Sequence, residues 1–361
     1  MKSFFFNNKI CWITGASSGI GVALASSLNA MGATLILSAR NIEKLEIVKA
    51  NCTFPDKISI LPCDMEETGK LPDITLEAWK LYNGIDYVFA NAGMAIRDMI
   101  INTEMEMVQK VMNVNFISNV VISKTLLPLM QEQGTGCFVV TSSLCGKFGI
   151  PKLGAYSASK HALHGFYETL RAEYEKDGIK VTMITAGMVK TNISLNALKG
   201  NGSSYGRMQA AVASGISPEK CAKGIIKAVT RGQCEALVGA IEKYSVLIKR
   251  FFPGLLRIII TNNPMRRLRD LGLLPNTKYE IPASSKISTG CKNNCDISDQ
   301  EKNSHGNSPF HVNNLHTVRF NSVKKHSSGH IQDKQKYLPF FPNCVNGRKN
   351  YADGGTNALT Y

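Results

Sequence analysis

Tyr156 and Lys160 stand four positions apart in Tyr156-Ser157-Ala158-Ser159-Lys160, so on a helix they share one face. An ammonium held beside a phenol stabilises the phenolate and draws its pKa toward neutrality, which suits a proton donor to a carbonyl. An ordinary surface Tyr/Lys pair has the same spacing, so the company the pair keeps decides between the two readings. Ser143 lies thirteen positions before Tyr156, at the end of the apolar run Cys137-Phe138-Val139-Val140-Thr141 and across a loop rich in glycine. Its hydroxyl could polarise a substrate oxygen. Asn115 falls in the helical stretch Val111-Met112-Asn113-Val114-Asn115-Phe116, where a buried amide demands partners.

These groups need a frame that brings them to one edge. The run Ile10-Cys11-Trp12-Ile13 leads directly into Thr14-Gly15-Ala16-Ser17-Ser18-Gly19-Ile20-Gly21. A tight turn without Cβ atoms between a strand and a helix lets backbone approach a pyrophosphate, while the free N–H groups of the helix's first turn point at the anion. Val22, Ala23, Ala25, Leu28 and Met31 then recur at helical spacing, Gly32 ends the helix, and Thr34-Leu35-Ile36-Leu37-Ser38 reads as a buried second strand. Further short runs at Ile58 to Leu61, Tyr87 to Phe89, Cys137 to Val140 and Val181 to Ile184 alternate with helical patterns. That alternation predicts an α/β fold of Rossmann type with a doubly wound parallel sheet. In such a sheet ligands sit beyond the carboxyl ends of the strands, where Ser143 falls.

The chain has 361 residues and a formal net charge of +15. Its ten cysteines show no CxxC or metal-type spacing and read as reduced core thiols, which predicts a cytoplasmic location and no metal. Phe4-Phe5-Phe6 is too short for a signal peptide or a membrane span.

In combination, TGASSGIG, Asn91-Ala92-Gly93, VNVNF, the Ser142-Ser143 pair, YSASK and Ala186-Gly187-Met188-Val189-Lys190-Thr191 resemble the short-chain dehydrogenase/reductase superfamily over residues 9 to 240. Arg171-Ala172-Glu173, the run Thr191 to Ala197 and Ser204-Tyr205-Gly206 are similar to its dehydrogenase/reductase member 7B group. The resemblance implies that Tyr156 is the general acid of carbonyl reduction and the base of alcohol oxidation, with Lys160 holding the nicotinamide ribose. It implies that Ser143 orients the substrate carbonyl and that Asn115 anchors a proton-supplying water chain. Around the cofactor it implies contacts from Thr14, Gly15, Ser17, Ser18, Gly19, Ile20 and Gly21. Asp64 would touch adenine, Asn91 would tie the central strands together with Ala92 and Gly93 beside it, and Gly187, Val189 and Thr191 would close over the nicotinamide. A homodimer or homotetramer is implied through the helices that carry Asn115 and Tyr156.

Cofactor choice has a physical handle. An enzyme selecting the unphosphorylated ribose usually ends its second strand with a carboxylate, whereas here the chain reads Ser38-Ala39-Arg40. A guanidinium suited to bidentate phosphate binding favours NADP(H); stacking of Arg40 on adenine is the alternative. The family commonly has Pro-Gly where this chain has Ala186-Gly187, which removes a fixed φ and predicts a looser turn. The loop from about Lys190 to Gly215 is rich in Gly, Ser and Asn and is expected to order on binding. Ser217-Pro218-Glu219 then restarts a helix with a cap, a first-position proline and an acid.

Between residues 240 and 275 seven Lys or Arg face two acids, interleaved with Val246-Leu247-Ile248, Phe251-Phe252, Leu255-Leu256 and Ile258-Ile259-Ile260. This basic amphipathic extension, 241–275, fits a helix pair on an anionic membrane surface. It equally fits a cover over an apolar cleft or a subunit interface. Residues 276–361 are polar, carry five of the seven histidines and read as a mostly disordered tail without interleaved aromatics for nucleic-acid binding. Met94, Phe148, Ile150, Leu195 and Met208 are expected to form an apolar pocket for a lipophilic small-molecule substrate of steroid, retinoid or acyl-chain type. A dinucleotide-binding scaffold at a membrane, without turnover, is the alternative function.

Overall fold

The computed structural model describes residues 5–262. Seven strands form one sheet: β1 (Ile10–Thr14), β2 (Thr34–Ser38), β3 (Ile58–Ile60), β4 (Tyr87–Ala90), β5 (Gly136–Ser143), β6 (Ile179–Ala186) and β7 (Glu235–Val238). Their order is β3-β2-β1-β4-β5-β6-β7 and every pairing is parallel. The order reverses between β1 and β4, so a crevice opens beyond the carboxyl ends of these two strands. The doubly wound Rossmann-type fold expected from the sequence is what the chain adopts.

Both faces of the sheet are apolar because helices cover both. Cys11, Ile13, Leu35, Leu37, Phe89, Val139 and Ile184 pack on one side with α1 (Gly19–Ala30), α2 (Ile42–Ala50) and α8 (Pro218–Thr230). Trp12, Ile36, Val88, Phe138, Val140, Val181 and Met183 pack on the other with α3 (Leu71–Tyr82), α5 (Ser118–Gln133) and α6 (Gly154–Tyr174). Alternate residues of each strand therefore feed opposite cores, as the period of two requires. Gly32, at φ 87°, ends the turn after α1, and the Ser217 hydroxyl accepts the Lys220 N–H at the start of α8, both as the sequence predicts.

Two features depart from expectation, and a third follows one of the two alternatives left open for the extension. Asn115 lies in a π-helical turn, Asn113–Ile117, between α4 (Met105–Met112) and α5, and the Asn119 side chain donates to the Asn115 carbonyl across it at 2.9 Å. The Lys190 to Gly215 loop is hydrogen-bonded along its length: Lys190 N–H donates to Ile216 O, Leu198 N–H to Ala95 O, Tyr205 N–H to Ala197 O, and a short α7 (Ala210–Ala213) follows. Backbone bonds to distant segments as well as within the loop outweigh its glycine content. The extension forms two short helices, α9 (Ser245–Phe251) and α10 (Pro253–Asn262), and Leu256 packs with Leu144 and Phe148 of the catalytic domain. Val246, Ile248 and Ile260 join that cluster, so the inner face of the extension covers the wall of the cleft. The remainder of the extension, 263–275, and the tail 276–361 lie outside the described residues.

No helix among the described residues is long and apolar enough to cross a membrane. Cys11, Cys52, Cys63, Cys137, Cys145 and Cys221 are free, buried thiols, and burial pushes Cys63, Cys137 and Cys221 up to about 12. These six are inert core groups, as expected, whereas Cys234 is an exposed thiol against that expectation, and Cys291, Cys295 and Cys344 lie outside the described residues.

Candidate active site

The glycine turn is shaped by what it excludes. Gly15 has a φ of 66°, and a Cβ there would stand 2.8 Å from the Ala92 Cα. Gly19, at φ 53°, would put a Cβ 2.8 Å from Thr191 Cγ2, and a Cβ on Gly21 would run into the Gly15 carbonyl oxygen. The helix that follows begins at Ser18, which makes no side-chain cap, and no acid occupies its first turn. The N–H groups of that turn therefore lack an intramolecular side-chain acceptor, and the helix dipole adds positive potential there. A bare, positively polarised cradle of this kind fits a pyrophosphate. Thr14, Gly15, Ser17, Ser18, Gly19, Ile20 and Gly21 form it.

Asn91 fixes the floor. Its amide donates to the carbonyls of Thr14 at 3.2 Å and Gly15 at 3.4 Å, and its oxygen accepts from the Thr141 hydroxyl at 3.5 Å. The Thr14 hydroxyl accepts the N–H groups of Asn91 and Ala92, both at 3.1 Å. Three central strands are thereby tied together at their ends. At the end of β2, Ser38 is buried and accepts from the Trp12 indole at 2.8 Å, leaving Arg40 as the group that reaches out. The Arg40 side chain is 74% exposed and lies 4.0 Å from the Asp64 carboxylate. Arg40 and Asp64 thus flank the same end of the crevice.

Opposite the turn, Ser143 closes β5 and accepts the Cys145 N–H at 3.2 Å. Tyr156 sits in the first turn of α6, and Lys160 one turn further. The Lys160 ammonium is buried, donates to the Thr141 carbonyl at 2.8 Å and lies 5.9 Å from the centre of the Tyr156 ring. Burial pushes this ammonium down from 10.5 to about 8. Burial also pushes the Tyr156 phenol above its ordinary range, aided by the nearby Cys145 thiol and opposed by the Ser143 hydroxyl. The expected acidification of the phenol by Lys160 is therefore not what this arrangement produces: desolvation of the phenolate outweighs an ammonium at that distance. The phenol is held protonated, as a donor must be.

Asn115, fully buried, accepts the Met94 N–H at 2.8 Å and donates to the Met94 carbonyl at 3.0 Å and to Ser159 Oγ at 2.9 Å. A Cβ on Gly93 would lie 3.2 Å from Asn115 Oδ1 and 3.5 Å from Lys160 Nζ, so the two polar groups border one gap. Ser143, Tyr156 and Lys160 line a cleft of about 340 Å³ together with Asn91, Gly93, Gly187, Val189 and Thr191. Those sequence-predicted groups converge there with Ile20, whereas Asn115, Arg40, Asp64, Ala92 and the rest of the glycine turn do not line it. The apolar pocket is drawn differently: Ile150 lines it, but Phe148 is buried against Leu256, and Met94 packs beside Ile96, Met107 and Val111. Leu195 and Met208 do not line it either; Leu153, Ile193, Ala197 and Val212 do. Residues from a loop that folds back are not separable by hydropathy alone.

The Ala186-Gly187 turn is firmer than its missing proline suggests. One oxygen of Glu242 accepts the N–H groups of Met188 at 2.9 Å and Ala240 at 3.0 Å, while Gly187 N–H donates to Val238 O at 2.7 Å. A carboxylate from the extension supplies the rigidity. Nothing in the local sequence marks Glu242, because its partner lies more than fifty residues away.

A dinucleotide cradle across from a protonated phenol is the layout of a dehydrogenase or reductase. Comparison with known proteins agrees: residues 9–201 match the short chain dehydrogenase family model. A Drosophila melanogaster dehydrogenase/reductase SDR family protein 7-like is 37% identical over 253 residues, covering 68% of this chain and 78% of that protein. The Danio rerio dehydrogenase/reductase SDR family member 7B is 35% identical over 256 residues, covering 69% and 83%. Among solved structures, a short-chain dehydrogenase from Streptomyces avermitilis superposes with a TM-score of 0.60 at 24% identity, covering 74% of this chain and 98% of its own. One from Burkholderia phymatum, in complex with NAD, superposes with a TM-score of 0.61 at 21% identity, covering 70% and 96%. The chain belongs to the short-chain dehydrogenase/reductase family of oxidoreductases.

Proposed function

We propose that the protein is an NADP(H)-dependent oxidoreductase that interconverts a lipophilic carbonyl and its alcohol, of steroid, retinoid or acyl-chain type. The observation that carries this reading is the convergence of the Tyr156 phenol, the Ser143 hydroxyl and the Lys160 ammonium on one largely apolar cleft. Bound nicotinamide supplies or takes up the hydride. Tyr156 Oη gives its proton to the carbonyl oxygen in reduction and accepts it in oxidation. Ser143 Oγ donates a hydrogen bond to the same oxygen and orients it. Lys160, anchored on the Thr141 carbonyl, adds positive potential behind the phenol that partly offsets the desolvation of its phenolate. Asn115, whose Oδ1 lies with Lys160 Nζ beside Gly93, would anchor a relaying water.

The exposed Arg40 guanidinium and the lack of an acid at the end of β2 support NADP(H), with at least about a tenfold preference in kcat/KM over NADH, near 1.4 kcal/mol. Equal efficiency with the two cofactors would refute that preference. The Tyr156→Phe variant separates enzyme from scaffold: cofactor affinity should persist while turnover falls by roughly 10² or more. Turnover unaffected by this change would remove Tyr156 from the chemistry.

The outer face of α9 and α10 supports attachment to an anionic membrane surface. Phe251, Phe252, Leu255 and Ile258 are exposed there, and Lys243, Arg250 and Arg257 form no ion pair among the described residues. Apolar side chains ringed by unpaired cations match a lipid interface better than a second copy carrying the same charges. The half-buried Phe116 and Phe166 meet edge to face, 6.2 Å apart, on the helices through which a homodimer or homotetramer would form. Sedimentation velocity tests that assembly, and a monomer at micromolar concentration would refute it.

A further inference from the structure

A second recess, of about 250 Å³, adjoins the catalytic cleft and is lined by Arg97, Asp98, Lys152, Lys199 and Tyr205. Arg97 lines both cavities, so the recess is an annex of the cleft rather than a separate surface feature. We propose that this annex binds an anionic group, a phosphate or a carboxylate, carried by the substrate itself. The inference rests on the cleft being the site of a lipophilic carbonyl, and it makes that substrate an amphiphile. Its carbonyl lies at Tyr156, its apolar body on Leu153 and Ala197, and its charged end on Arg97, Lys152 and Lys199.

The recess is built by backbone from three separate segments. Arg97 N–H donates to Leu198 O at 2.8 Å, Asp98 N–H to Lys152 O at 3.0 Å, and Gly200 N–H to the Asp98 carboxylate at 3.1 Å. Asp98 is the organiser of this junction and not a counter-ion. Its other oxygen accepts the Met99 N–H at 2.8 Å and the Asn102 amide at 3.4 Å. None of the three cations forms an ion pair with Asp98 or with any other acid among the described residues. Three positive side chains thus surround one carboxylate already engaged by backbone and amide donors.

Two details sharpen the assignment. The Arg97 guanidinium lies 5.9 Å from the centre of the Tyr205 ring, and both residues line the recess. A guanidinium there offers a forked donor pair to an oxyanion. Lys152 adopts a φ of 67°, a left-handed backbone that costs a residue with a Cβ about 1 kcal/mol or more. The cofactor's own phosphates do not account for the annex, because the glycine turn and Arg40 share no lining residue with it.

The test is calorimetric and independent of turnover. With saturating NADPH, decyl phosphate, decanoate, decanol and inorganic phosphate are titrated below their micellar concentrations into wild type and into Lys152→Gln/Lys199→Gln. At least one of the two anionic amphiphiles should bind wild type tenfold or more tightly than decanol, and the stronger of them names the group. That preference should fall to within twofold in the double glutamine variant, persist in Lys152→Arg/Lys199→Arg, and shrink with added salt. Equal affinity for decanol and both anions would overturn the proposal. So would a preference that survives the loss of both lysines, or inorganic phosphate binding as tightly as decyl phosphate, which would mark a free-anion site instead. Failure here leaves the Tyr156→Phe result untouched, so the annex and the catalytic assignment fall separately.

Discussion

The two walls of the cleft are held by different physics. On the cofactor side, Gly15, Gly19 and Gly21 let backbone approach backbone, and Asn91 and Thr14 cross-link three strand ends with a set of hydrogen bonds. Such a wall admits almost no change of side chain. On the substrate side, the Lys190 to Gly215 loop, the annex and α9 to α10 are joined by turns, scattered backbone bonds and an apolar cluster around Leu256. Apart from Gly200 and Gly215, where a Cβ would meet the carbonyl oxygens of Asn102 and Met188, this wall should tolerate substitution at its exposed side chains. Cofactor geometry is thus fixed sterically, while substrate preference is written in side chains that can vary.

The contrast can be broken by substitution, and the largest effect is expected at the turn. Gly21→Ala drives a methyl into the Gly15 carbonyl, so it should abolish dinucleotide binding and cost about 3 kcal/mol or more in thermal unfolding. By contrast Gly206→Ala, with a positive φ but only Ser204 Oγ nearby at 3.5 Å, should cost about 1 kcal/mol and leave cofactor affinity intact. Equal losses at the two positions would erase the distinction between the walls.

Lys160 is next. Its folded pKa of about 8 lies below the ordinary 10.5, so between those values the unfolded chain binds a proton that the folded chain does not. Stability contributed by this group therefore rises with pH across that window, by at most about 3 kcal/mol. Denaturant midpoints of wild type relative to Lys160→Met, measured at pH 7.5 and near pH 10 (about 2 units apart on the scale of the shift), should show wild type gaining. A constant difference would place the ammonium in a more solvated setting than its burial indicates.

Glu242→Gln should act more weakly, by about 1 to 2 kcal/mol, because an amide oxygen replaces a charged acceptor for two N–H groups. The effect should appear as a raised KM for the cofactor more than a lowered kcat, since the turn it braces includes Gly187. The smallest stability effect is expected at Phe251→Ser/Phe252→Ser, within about 0.5 kcal/mol, because both rings are exposed. That variant should nevertheless lose most of its co-sedimentation with vesicles containing phosphatidylserine. Retained binding would move any lipid contact elsewhere.

The same contrast decides what could be read from the chain. The turn, the first two strands and the Tyr156, Lys160 and Ser143 constellation were legible because sterics and periodicity restrict the residue types allowed there. β7 escaped notice since Glu235-Ala236-Leu237-Val238 is a four-residue edge strand that buries only Val238. The Asn115 side chain in the π turn is held by the N–H and carbonyl of Met94 and by Ser159, forty-four residues away. Glu242 and Arg97 act through partners distant in sequence, so local pattern carries no trace of them. Phe148 and Met94 are apolar enough for a pocket, but the fold uses both as core. The phenol's upward shift reflects desolvation, which spacing alone does not express.

The most direct test of hydride transfer at Tyr156 follows deuterium from 4-deuterated NADPH, both C4 epimers tried separately, into a panel of lipophilic ketones and aldehydes by mass spectrometry. Wild type should place one deuterium on the carbinol carbon of at least one product, from one epimer only, and Tyr156→Phe should yield no product in the same time. Absence of label from every carbonyl, or equal labelling by the phenylalanine variant, would contradict the assignment.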